Sequence, residues 1–396
     1  MNIIIANTQE FNPQIGGVER VSTTLAIELT KLGHNIFFVA YIISPFSKEY
    51  APAVEQFILP NSKNAMSDDN IKAFTQYVFI KNVEIILNQA GNILDFTQLC
   101  VAVKKETNTK LISEIHINPD YKIKGYLDCS FSKLKELSTI RENAKRLIKR
   151  ICPYKLWTIQ KTERQLYQYV YNNSEKIVLL SEKFKPIFSK LIGNINDAKL
   201  VAISNPLSFS TNSVDLSIKK KQILYVGRLD YGHKRPDRVL EIWKTLYKKY
   251  SDWELIILGD GPAREGLLEL SRELRLERIE FAGFKDPQNY YKDASIILMT
   301  SSYEGFGMVL IEAAQFGVVP VALDTFESLQ DIVDQGVNGY RIPAPFVKNA
   351  YGVLANLMSN PKLRFSMATN AIAHSSNFAI EKIAKEWLNL FNCLKF

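Results

Sequence analysis

The sequence is poor in the residues that build metal sites and disulfide frameworks. It has four cysteines and four histidines in 396 residues, and no two cysteines have the C-x-x-C spacing typical of zinc or redox sites. Cys100, Cys129, Cys152 and Cys393 are therefore interpreted as scattered reduced thiols in a cytosolic protein. No Cys/His cluster indicates a structural zinc.

Long apolar runs and targeting signals are also lacking. No run reaches the roughly 18 uncharged apolar residues that indicate a membrane-spanning helix. The first residues, Met1–Asn7, have no basic n-region and predict a strand rather than a signal peptide. We therefore expect a cytoplasmic location.

The length and the apolar pattern indicate two α/β domains. Two domains are natural for 396 residues, at about 100–200 residues per domain. Short apolar runs alternate with helical patterns, as in a parallel sheet. Strands are predicted over 3–6, 36–41, 83–87, 93–96, 110–115 and 176–180, and then over 223–226, 254–258, 279–281, 295–299 and 318–322. The polar, Ser/Lys-rich stretch 204–221 is the linker candidate.

The positive charge is concentrated in one stretch. The net charge is +8, and residues 121–164 hold twelve basic and four acidic residues, which accounts for the whole excess. The apolar residues of this stretch recur at helical spacing: Leu134, Leu137, Ile140, Ala144, Leu147, Ile148 and Ile151. The stretch is interpreted as a basic amphipathic helix that either presents a solvated face or contacts an anionic membrane. Nucleic acid is not expected as a partner, because no nucleic-acid-binding motif is present.

Two glutamates lie on either side of a predicted strand–helix junction. Glu304 follows the predicted strand 295–299, and Glu312 lies in a helix expected over 307–316, which Gly317 ends. Open α/β sheets bind ligands in loops at the carboxyl ends of their strands, and the amides that start a helix favour an anion. The pair is interpreted either as surface charge or as ligand-binding carboxylates.

A second strand–helix loop carries two cations. Arg228 and Lys234 lie between the predicted strand Gln222–Val226 and a helix expected to begin at Pro236, since proline suits the first helical position. A planar guanidinium beside a compact ammonium suits a diphosphate. Two fixed cations can replace the Mg²⁺ of many phosphoryl sites. We therefore expect no metal and no cofactor, and no Asp-x-Asp motif is present to hold a metal.

Four motifs, in their order along the chain, resemble one enzyme family. They are Gly16-Gly17-Val18-Glu19-Arg20, Gly227-Arg228-Leu229 with Lys234, Gly259-Asp260-Gly261-Pro262, and Glu304-Gly305-Phe306-Gly307 with Glu312. Together they resemble the retaining nucleotide-sugar glycosyltransferases of family 4, also called group 1. The resemblance is strong over residues 220–345, moderate over 1–45 and weak over 120–215.

This resemblance implies a GT-B fold, in which two Rossmann-like, parallel-sheet α/β domains face a central cleft. The expected ranges are 1–205 for the acceptor-side domain and 206–377 for the nucleotide-sugar-binding domain. The remaining residues, 378–396, are expected to form a C-terminal helix that packs back on the N-terminal domain.

The resemblance also implies a retaining, metal-independent hexosyltransferase of polysaccharide biosynthesis. The donor is a nucleotide diphosphate sugar, with UDP as the expected nucleotide, and the acceptor is a cell-surface glycan or a lipid-linked glycan. If the basic segment 121–164 contacts anionic lipid, the enzyme is expected to be peripheral, on the inner face of the cytoplasmic membrane. Two alternatives stay open: a nucleotide-sugar epimerase of the same fold and a non-catalytic nucleotide-sugar-binding protein.

The expected catalytic residues follow from the matched motifs. By resemblance, Glu304 orients the donor sugar, while Arg228 and Lys234 stabilise the departing diphosphate. His116 lies at the end of the predicted strand 110–115, where a histidine of the resembled family contacts the donor sugar; the same contact is expected here, with a structural histidine as the alternative and Glu114 as the second choice for a polar role.

The other expected substrate-binding residues include Glu312, which accepts hydrogen bonds from both ribose hydroxyls. The rest of this set is Gly16, Gly17, Gly259, Asp260, Phe284, Gly305, Phe306, Gly307, Met308 and Val309. A simple turn before a helix is the alternative for the first two glycines, and a helix cap is the alternative for Asp260. His34, His233 and His374 are interpreted as structural.

Overall fold

The computed structural model describes two compact units. The described residues are 1–14, 16–43, 54–131, 153–193, 195–209, 214–344 and 347–394. The first unit is formed by 1–120, 157–208 and 378–396, and the second by 209–377 together with the described residues of 121–156. The predicted domain range 1–205 differs from the first unit at the described residues of 121–156, which cluster with the second, and at 206–208, which belong to the first.

In the described residues of the first unit, seven strands form one parallel sheet. They are β1 (Asn2–Ala6), β2 (Asn35–Ala40), β3 (Gln56–Ile58), β4 (Ile85–Asn88), β5 (Lys110–Ile115), β6 (Lys176–Leu179) and β7 (Leu200–Ala202). Their order across the sheet is β3-β2-β1-β4-β5-β6-β7. β1 and β4 are central and almost fully buried, which explains their continuous apolar runs.

The second unit repeats this arrangement with six strands among its described residues. They are β8 (Gln222–Val226), β9 (Glu254–Leu258), β10 (Ile279–Gly283), β11 (Ile296–Met299), β12 (Val319–Asp324) and β13 (Tyr340–Pro343). The order is β10-β9-β8-β11-β12-β13, and every pair is parallel. Both sheets therefore have the doubly wound strand order of a Rossmann-like fold.

Helices connect successive strands. In chain order the described helices are α1 (Gly17–Lys31), α2 (Asp68–Ile80), α3 (Leu94–Glu106), α4 (Tyr121–Phe131), α5 (Pro153–Asn173), α6 (Phe184–Ile192), α7 (Pro236–Leu246), α8 (Arg264–Glu273), α9 (Gln288–Asp293), α10 (Met308–Gln315), α11 (Leu329–Ile332), α12 (Ala350–Ser359), α13 (Pro361–Ser375) and α14 (Ile380–Asn392). Among the described residues, no helix is both long enough and apolar enough to cross a membrane.

One strand prediction is wrong. The run 93–96 is not a strand, because α3 begins at Leu94. Phe96, Leu99, Cys100 and Val103 are buried at helical spacing. A four-residue apolar run does not distinguish a strand from the first turn of a buried helix.

The C-terminal helix belongs to the first unit, as predicted. α14 buries Ile383, Ala384 and Trp387 in the cluster that contains Ile3 and Leu25. An apolar stripe on an otherwise polar helix is stable only when it is covered. α14 therefore completes the core around β1 and α1.

Candidate active site

The predicted site loops of the second unit lie where the strand order reverses. β8 and β11 are neighbours in the sheet, although two other strands come between them in the sequence. The loop after β8 carries Arg228 and Lys234, and the loop after β11 carries Glu304. Ligands of doubly wound sheets bind in the crevice outside the strand ends at this reversal.

Asp230 organises the loop between β8 and α7. Its Oδ1 accepts hydrogen bonds from the backbone amides of His233, at 2.6 Å, and Lys234, at 3.4 Å, and its Oδ2 accepts from Nε of Arg228 at 3.0 Å. Burial opposes ionisation of Asp230, but the His233 amide and the Arg228 guanidinium outweigh burial and lower its pKa. The Arg228 side chain is 66% exposed, so its remaining donors can reach a ligand.

Lys234 and Glu304 form an ion pair across the two loops. Nζ of Lys234 lies 2.6 Å from Oε1 of Glu304, and the carboxylate side chain is only 8% exposed. Burial alone would raise the pKa of Glu304, but the neighbouring Lys234 ammonium and His233 ring lower it to about 2. The carboxylate is therefore ionised and held in place before any ligand arrives.

His233, which we interpreted as structural, is part of this cluster. Its Nε2 lies 3.6 Å from Oε2 of Glu304. Its ring stacks on Tyr303, with 4.4 Å between ring centroids and 4° between planes. Its carbonyl accepts the amide of Ser302 at 2.8 Å. The only indication of this contact in the sequence was that a histidine directly precedes Lys234, a predicted site residue.

Gly259 and Asp260 pack against the loop after β8. The amide of Gly227 donates to the carbonyl of Leu258 at 3.0 Å, and the amide of Leu229 donates to the carbonyl of Asp260 at 2.8 Å. A Cβ on Gly259 would lie 2.0 Å from the Gly227 carbonyl oxygen, so only glycine permits this approach. The glycine motif thus supports the Arg228 loop. The Asp260 carboxylate accepts from the amide of Gly261 at 2.7 Å.

The Glu304 loop leads directly into α10. Gly305, Phe306 and Gly307 are buried, while Met308 and Val309 are partly exposed. The carbonyl of Gly305 accepts the Ser328 hydroxyl at 2.9 Å, a bond buried in the loop. The first amides of a helix have no intrahelical acceptor, so the start of α10 offers donors to an anion beside Glu304.

Glu312 lies one turn into α10 and is buried. It is 1% exposed, and its Oε2 accepts the hydroxyl of Tyr291 at 3.2 Å. Tyr291, on α9, was not predicted, because its position in the sequence gives no sign that it reaches α10. Phe284 follows β10 and is 75% exposed.

His116 and Glu114, in the first unit, belong to one buried polar cluster. Gln89 Nε2 donates to Oε2 of Glu114 at 2.8 Å, and Nε2 of His116 bonds to Oε1 of Gln89. Burial raises the pKa of Glu114 to about 8, against the opposing Gln89 hydrogen bond, and burial lowers the pKa of His116 to about 3. Both side chains are therefore neutral at pH 7.

The predicted Gly16-Gly17 loop supports the start of α1. A Cβ on Gly16 would lie 2.5 Å from Oε2 of Glu19, and Oε1 of Glu19 accepts Nδ2 of Asn7 at 3.0 Å. Burial raises the pKa of Glu19, although its own backbone amide and Asn7 oppose the shift. Gly16 thus makes room for the Glu19 carboxylate, while a Cβ on Gly17 would meet no atom within 4 Å among the described residues, apart from its chain neighbours and its own helix backbone.

The structure covers the predicted basic segment only in part. Its central residues, 132–152, lie outside the described residues, and so does the apolar stripe predicted there. The described part includes the first turns of α5, where Tyr154 is 70% and Trp157 is 54% exposed. Lys161 Nζ lies 5.1 Å from the centroid of the Trp157 ring.

Comparison with known proteins supports a group 1 glycosyltransferase. The family model described as "Glycosyl transferases group 1" matches residues 209–374. An uncharacterized glycosyltransferase of Haemophilus influenzae is 26% identical over 377 residues, which cover 94% of this chain and 95% of the relative. The amylovoran biosynthesis glycosyltransferase AmsD of Erwinia amylovora is 26% identical over 386 residues, or 95% of this chain and 96% of the relative.

Solved structures confirm the predicted fold. The lipopolysaccharide outer core galactosyltransferase WaaB has a TM-score of 0.71 at 18% identity, and the match covers 100% of both chains. HepE of Anabaena, solved with UDP and glucose, has a TM-score of 0.73 at 16% identity, with 99% of this chain and 100% of HepE covered. The protein therefore has the two-domain, Rossmann-like GT-B fold, and the related sequences support glycosyl transfer as its activity.

Proposed function

We propose that this protein is a retaining, metal-independent hexosyltransferase of family 4. It transfers a hexose from a UDP-sugar to a cell-surface glycan or a lipid-linked glycan. One observation carries the proposal: Lys234 and Glu304 meet at 2.6 Å outside the ends of β8 and β11. The pair places a cation suited to a diphosphate beside a carboxylate suited to sugar hydroxyls.

The reaction needs stabilisation of charge on the leaving group. As the bond between the sugar and the phosphate breaks, negative charge grows on the diphosphate. Lys234, Arg228 and the first amides of α10 are placed to stabilise that charge, and preorganised donors of this kind usually make the largest contribution to catalysis. Lys234 turns from Glu304 to the diphosphate when the donor binds. Glu304 then accepts hydrogen bonds from the sugar hydroxyls.

The remaining roles are assigned by the same chemistry. Glu312 accepts both ribose hydroxyls, and the Tyr291 hydroxyl holds its carboxylate in place. Phe284 stacks on the base, whose polar edge meets the loop at Gly259 and Asp260. His116 contacts the donor sugar. The backbone at Gly16 and Gly17 approaches the diphosphate or the acceptor.

The choice of donor and acceptor rests on the related proteins. HepE was solved with UDP and glucose, so UDP is the nucleotide to test first. The names of AmsD and WaaB refer to amylovoran and lipopolysaccharide, which supports an acceptor among cell-surface glycans. No cofactor is needed in this scheme, because the donor itself carries the activated sugar.

The first test is calorimetric titration with a panel of nucleotide sugars: UDP-glucose, UDP-galactose, UDP-N-acetylglucosamine, GDP-mannose and dTDP-rhamnose. One UDP-sugar should bind in the micromolar range, and Lys234→Met should weaken binding of that sugar and of UDP alike. Product analysis then separates the alternatives. Transfer to a glycan with retained configuration supports the proposal, epimer formation without acceptor would indicate an epimerase, and binding without turnover would indicate a non-catalytic protein.

We also propose that the enzyme binds the inner face of the cytoplasmic membrane through the basic segment 121–164. The described part of that segment presents Tyr154 and Trp157 to solvent beside the exposed Lys155 and Lys161. Tryptophan and tyrosine favour the membrane interface, and each nearby lysine or arginine adds about 1 kcal/mol at an anionic surface. A lipid-linked acceptor would be reached from this surface.

Vesicle co-sedimentation tests the membrane proposal. The protein should pellet with phosphatidylglycerol vesicles at low salt and be released at high salt, because screening acts over about 8 Å at physiological ionic strength. Lys155→Glu with Lys161→Glu should weaken pelleting, while Lys248→Glu with Lys249→Glu, on the second unit, should not. Charge reversal of Lys145, Arg146, Lys149 and Arg150, outside the described residues, should abolish pelleting. Equal binding to neutral phosphatidylcholine vesicles, or none to either, would contradict the proposal.

A further inference from the structure

A hydrogen-bonded chain leads to His116 from two neighbouring strands of the first unit. Gln89 directly follows β4, Glu114 lies in β5, and His116 follows β5. The Gln89 amide bonds to both other side chains, through Nε2 to Glu114 and through Oε1 to His116. The amide of Gly91 donates to the carbonyl of Glu114 at 3.0 Å, which ties the turn after β4 to β5. The three side chains therefore sit on rigid, mutually bonded backbone.

The Gln89 amide determines which nitrogen of His116 carries the proton. Oε1 of Gln89 has two lone pairs, and it faces Nε2 of His116 and the hydroxyl of Ser22, which lies 3.1 Å away. An acceptor at Nε2 requires that this nitrogen donate. The contact of the Gln89 amino group with Oε2 of Glu114, at 2.8 Å, and the contact of Oε1 with the Ser22 hydroxyl together favour this orientation of the amide. Because burial lowers the pKa of His116 to about 3, the ring is a neutral imidazole, and with Nε2 protonated its lone pair lies at Nδ1.

Nδ1 of His116 has no hydrogen-bond partner in the part of the chain that the structure describes. The side chain is only 7% exposed, and a buried acceptor without a donor destabilises the folded state. A ligand that donates a hydrogen bond to Nδ1 would satisfy this acceptor. The neutral state also suits this role, because an imidazolium would offer a proton at Nδ1 instead of a lone pair.

We propose that Gln89 and Glu114 are positioning residues, which hold the Nδ1 lone pair of His116 ready to accept a hydroxyl of the donor sugar. The inference rests on the proposed function only for the identity of the ligand. Gln89 acts by its amide orientation, and Glu114 acts through Gln89. Neither residue needs to touch the substrate.

The proton position can be measured directly. Long-range ¹H–¹⁵N correlation spectra of protein labelled with ¹⁵N-histidine, compared with those of His116→Ala, identify the two ring nitrogens of His116. We expect a protonated Nε2 and an unprotonated Nδ1 at pH 7 in the ligand-free protein. A protonated Nδ1 would overturn the proposal, whatever donor the enzyme uses.

Variants then test the role of each residue. Gln89→Met keeps the length of the side chain but removes the amide, so the His116 ring should populate both tautomers. Glu114→Gln keeps an acceptor for Gln89 and should retain the wild-type tautomer, whereas Glu114→Leu should not. Ser113→Ala is the matched control. It removes a buried hydroxyl of β5 that bonds to Ser174 at 2.9 Å and not to Gln89 or His116, so it should leave the tautomer unchanged.

Donor binding provides the functional readout. The ratio of the affinities for UDP-galactose and UDP isolates the sugar contacts, and the affinity for UDP alone should not change. Gln89→Met should lower the ratio as much as His116→Ala does, by about tenfold, the discrimination expected for roughly 1.4 kcal/mol of lost hydrogen bonding. The double variant should be no worse than His116→Ala alone.

Two further outcomes distinguish the inference from the proposed function. If UDP-galactose does not bind, another UDP-sugar from the panel replaces it in the ratio; if no UDP-sugar binds, the donor assignment fails, but the tautomer measurement still decides the inference. If UDP-galactose binds and Gln89→Met leaves both the tautomer and the affinity ratio as in the wild type, the inference is wrong and the proposed function stands. Should Gln89→Met not fold, the wild-type spectrum and Glu114→Gln keep the test decisive.

Discussion

Nζ of Lys234 lies 2.6 Å from Oε1 of Glu304, and the two residues are 70 positions apart in the chain. Their bond joins the loops after β8 and β11, the two strands on either side of the reversal in strand order. The carboxylate is therefore paired before a donor binds, and the cation is not a free charge. A substitution of either side chain therefore also changes the electrostatic environment of the other.

Glu304→Gln should make stability depend on pH in a defined way. The pKa of Glu304 falls from 4.5 to about 2 on folding, so the ionised carboxylate adds about 3 kcal/mol above pH 4.5. The stability difference between wild type and variant should be constant above pH 4.5 and shrink as the pH falls toward 2. Urea unfolding at several pH values measures it. Glu327→Gln is the control, because it removes a carboxylate from an ion pair with Lys124 in which both side chains are partly exposed, and it should change stability by less than Glu304→Gln.

Loss of either cation should slow the reaction. Arg228→Ala and Lys234→Ala should each lower kcat by about a hundredfold, the scale of removing one preorganised donor. Arg228→Lys should restore only part of the activity, because the planar fork is lost. Initial rates with the donor found by calorimetry measure the effect, and Arg264→Ala, at a partly exposed arginine on α8, is the control. Near-normal turnover in Lys234→Ala would rule out its role at the diphosphate.

Lys234→Ala should also destabilise the fold. It leaves Glu304 buried without its ammonium, so the pKa of Glu304 should rise and the free energy of unfolding should fall by about 3–5 kcal/mol. In the Glu304→Gln background, Lys234→Ala should lower the free energy of unfolding by less, since no buried carboxylate is left unpaired. A double-mutant cycle by urea unfolding measures this coupling. Equal costs in both backgrounds would mean that the pair does not contribute to stability.

The glutamates should differ in kinetic signature. Glu312→Ala should mainly weaken donor binding, because ribose contacts are the same in the ground and transition states. Glu304→Ala should mainly lower kcat. Tyr291→Phe should raise the Kd for UDP a few-fold, since it removes the hydroxyl that holds Glu312, and it should have no effect in the Glu312→Ala background. Unchanged UDP affinity in Glu312→Ala would exclude the ribose role.

Glu114 should make the first unit less stable as the pH rises. Its pKa is about 8 in the folded protein and 4.5 ordinarily, so the folded state holds a proton that the unfolded chain releases above pH 4.5. Stability should therefore fall by about 1.4 kcal/mol per pH unit between 4.5 and 8, and level off above 8. Glu114→Gln should remove this decline. Parallel pH profiles for wild type and variant would show that Glu114 is ionised in the folded state.

Activity should not depend on a divalent cation. Arg228 and Lys234 supply positive charge at the proposed diphosphate site, so turnover with the acceptor should survive excess EDTA. The measurement compares rates before and after chelation, with Mg²⁺ and Mn²⁺ added back. Complete loss of activity that Mg²⁺ or Mn²⁺ restores would mean that Arg228 and Lys234 do not suffice for the reaction.

Local patterns in the sequence identified most of the elements that build the site. The apolar runs at 222–226 and 295–299 are strands β8 and β11, with one residue of difference at the start of the second. Proline at position 236 begins α7 as expected. Arg228, Lys234 and Glu304 lie in loops at the carboxyl ends of these strands, because loop position follows from the order of strands and helices along the chain. Strands β3, β7 and β13 were not predicted, since β3 and β7 have only three residues and β13, with Arg341 inside it, is not an apolar run.

Contacts between distant segments were decided only by the tertiary structure. Sequence reasoning treated Lys234 and Glu304 as independent groups, and it gave no role to Asp230, Tyr291 or Gln89. Each of these three residues acts on a partner through a hydrogen bond set by the path of the loop or by the strand order.

The sequence by itself determined the fold class, the strand–helix loops and the kinds of charge that those loops carry. These properties depend on near neighbours: the period of apolar residues, the position of glycine and proline, and the residue types in a loop. The tertiary structure decided which charges are paired and which groups are buried, and hence the pKa values of Glu304 and Glu114. Those properties depend on the desolvation and the neighbours that a side chain meets after folding, and no local pattern records them.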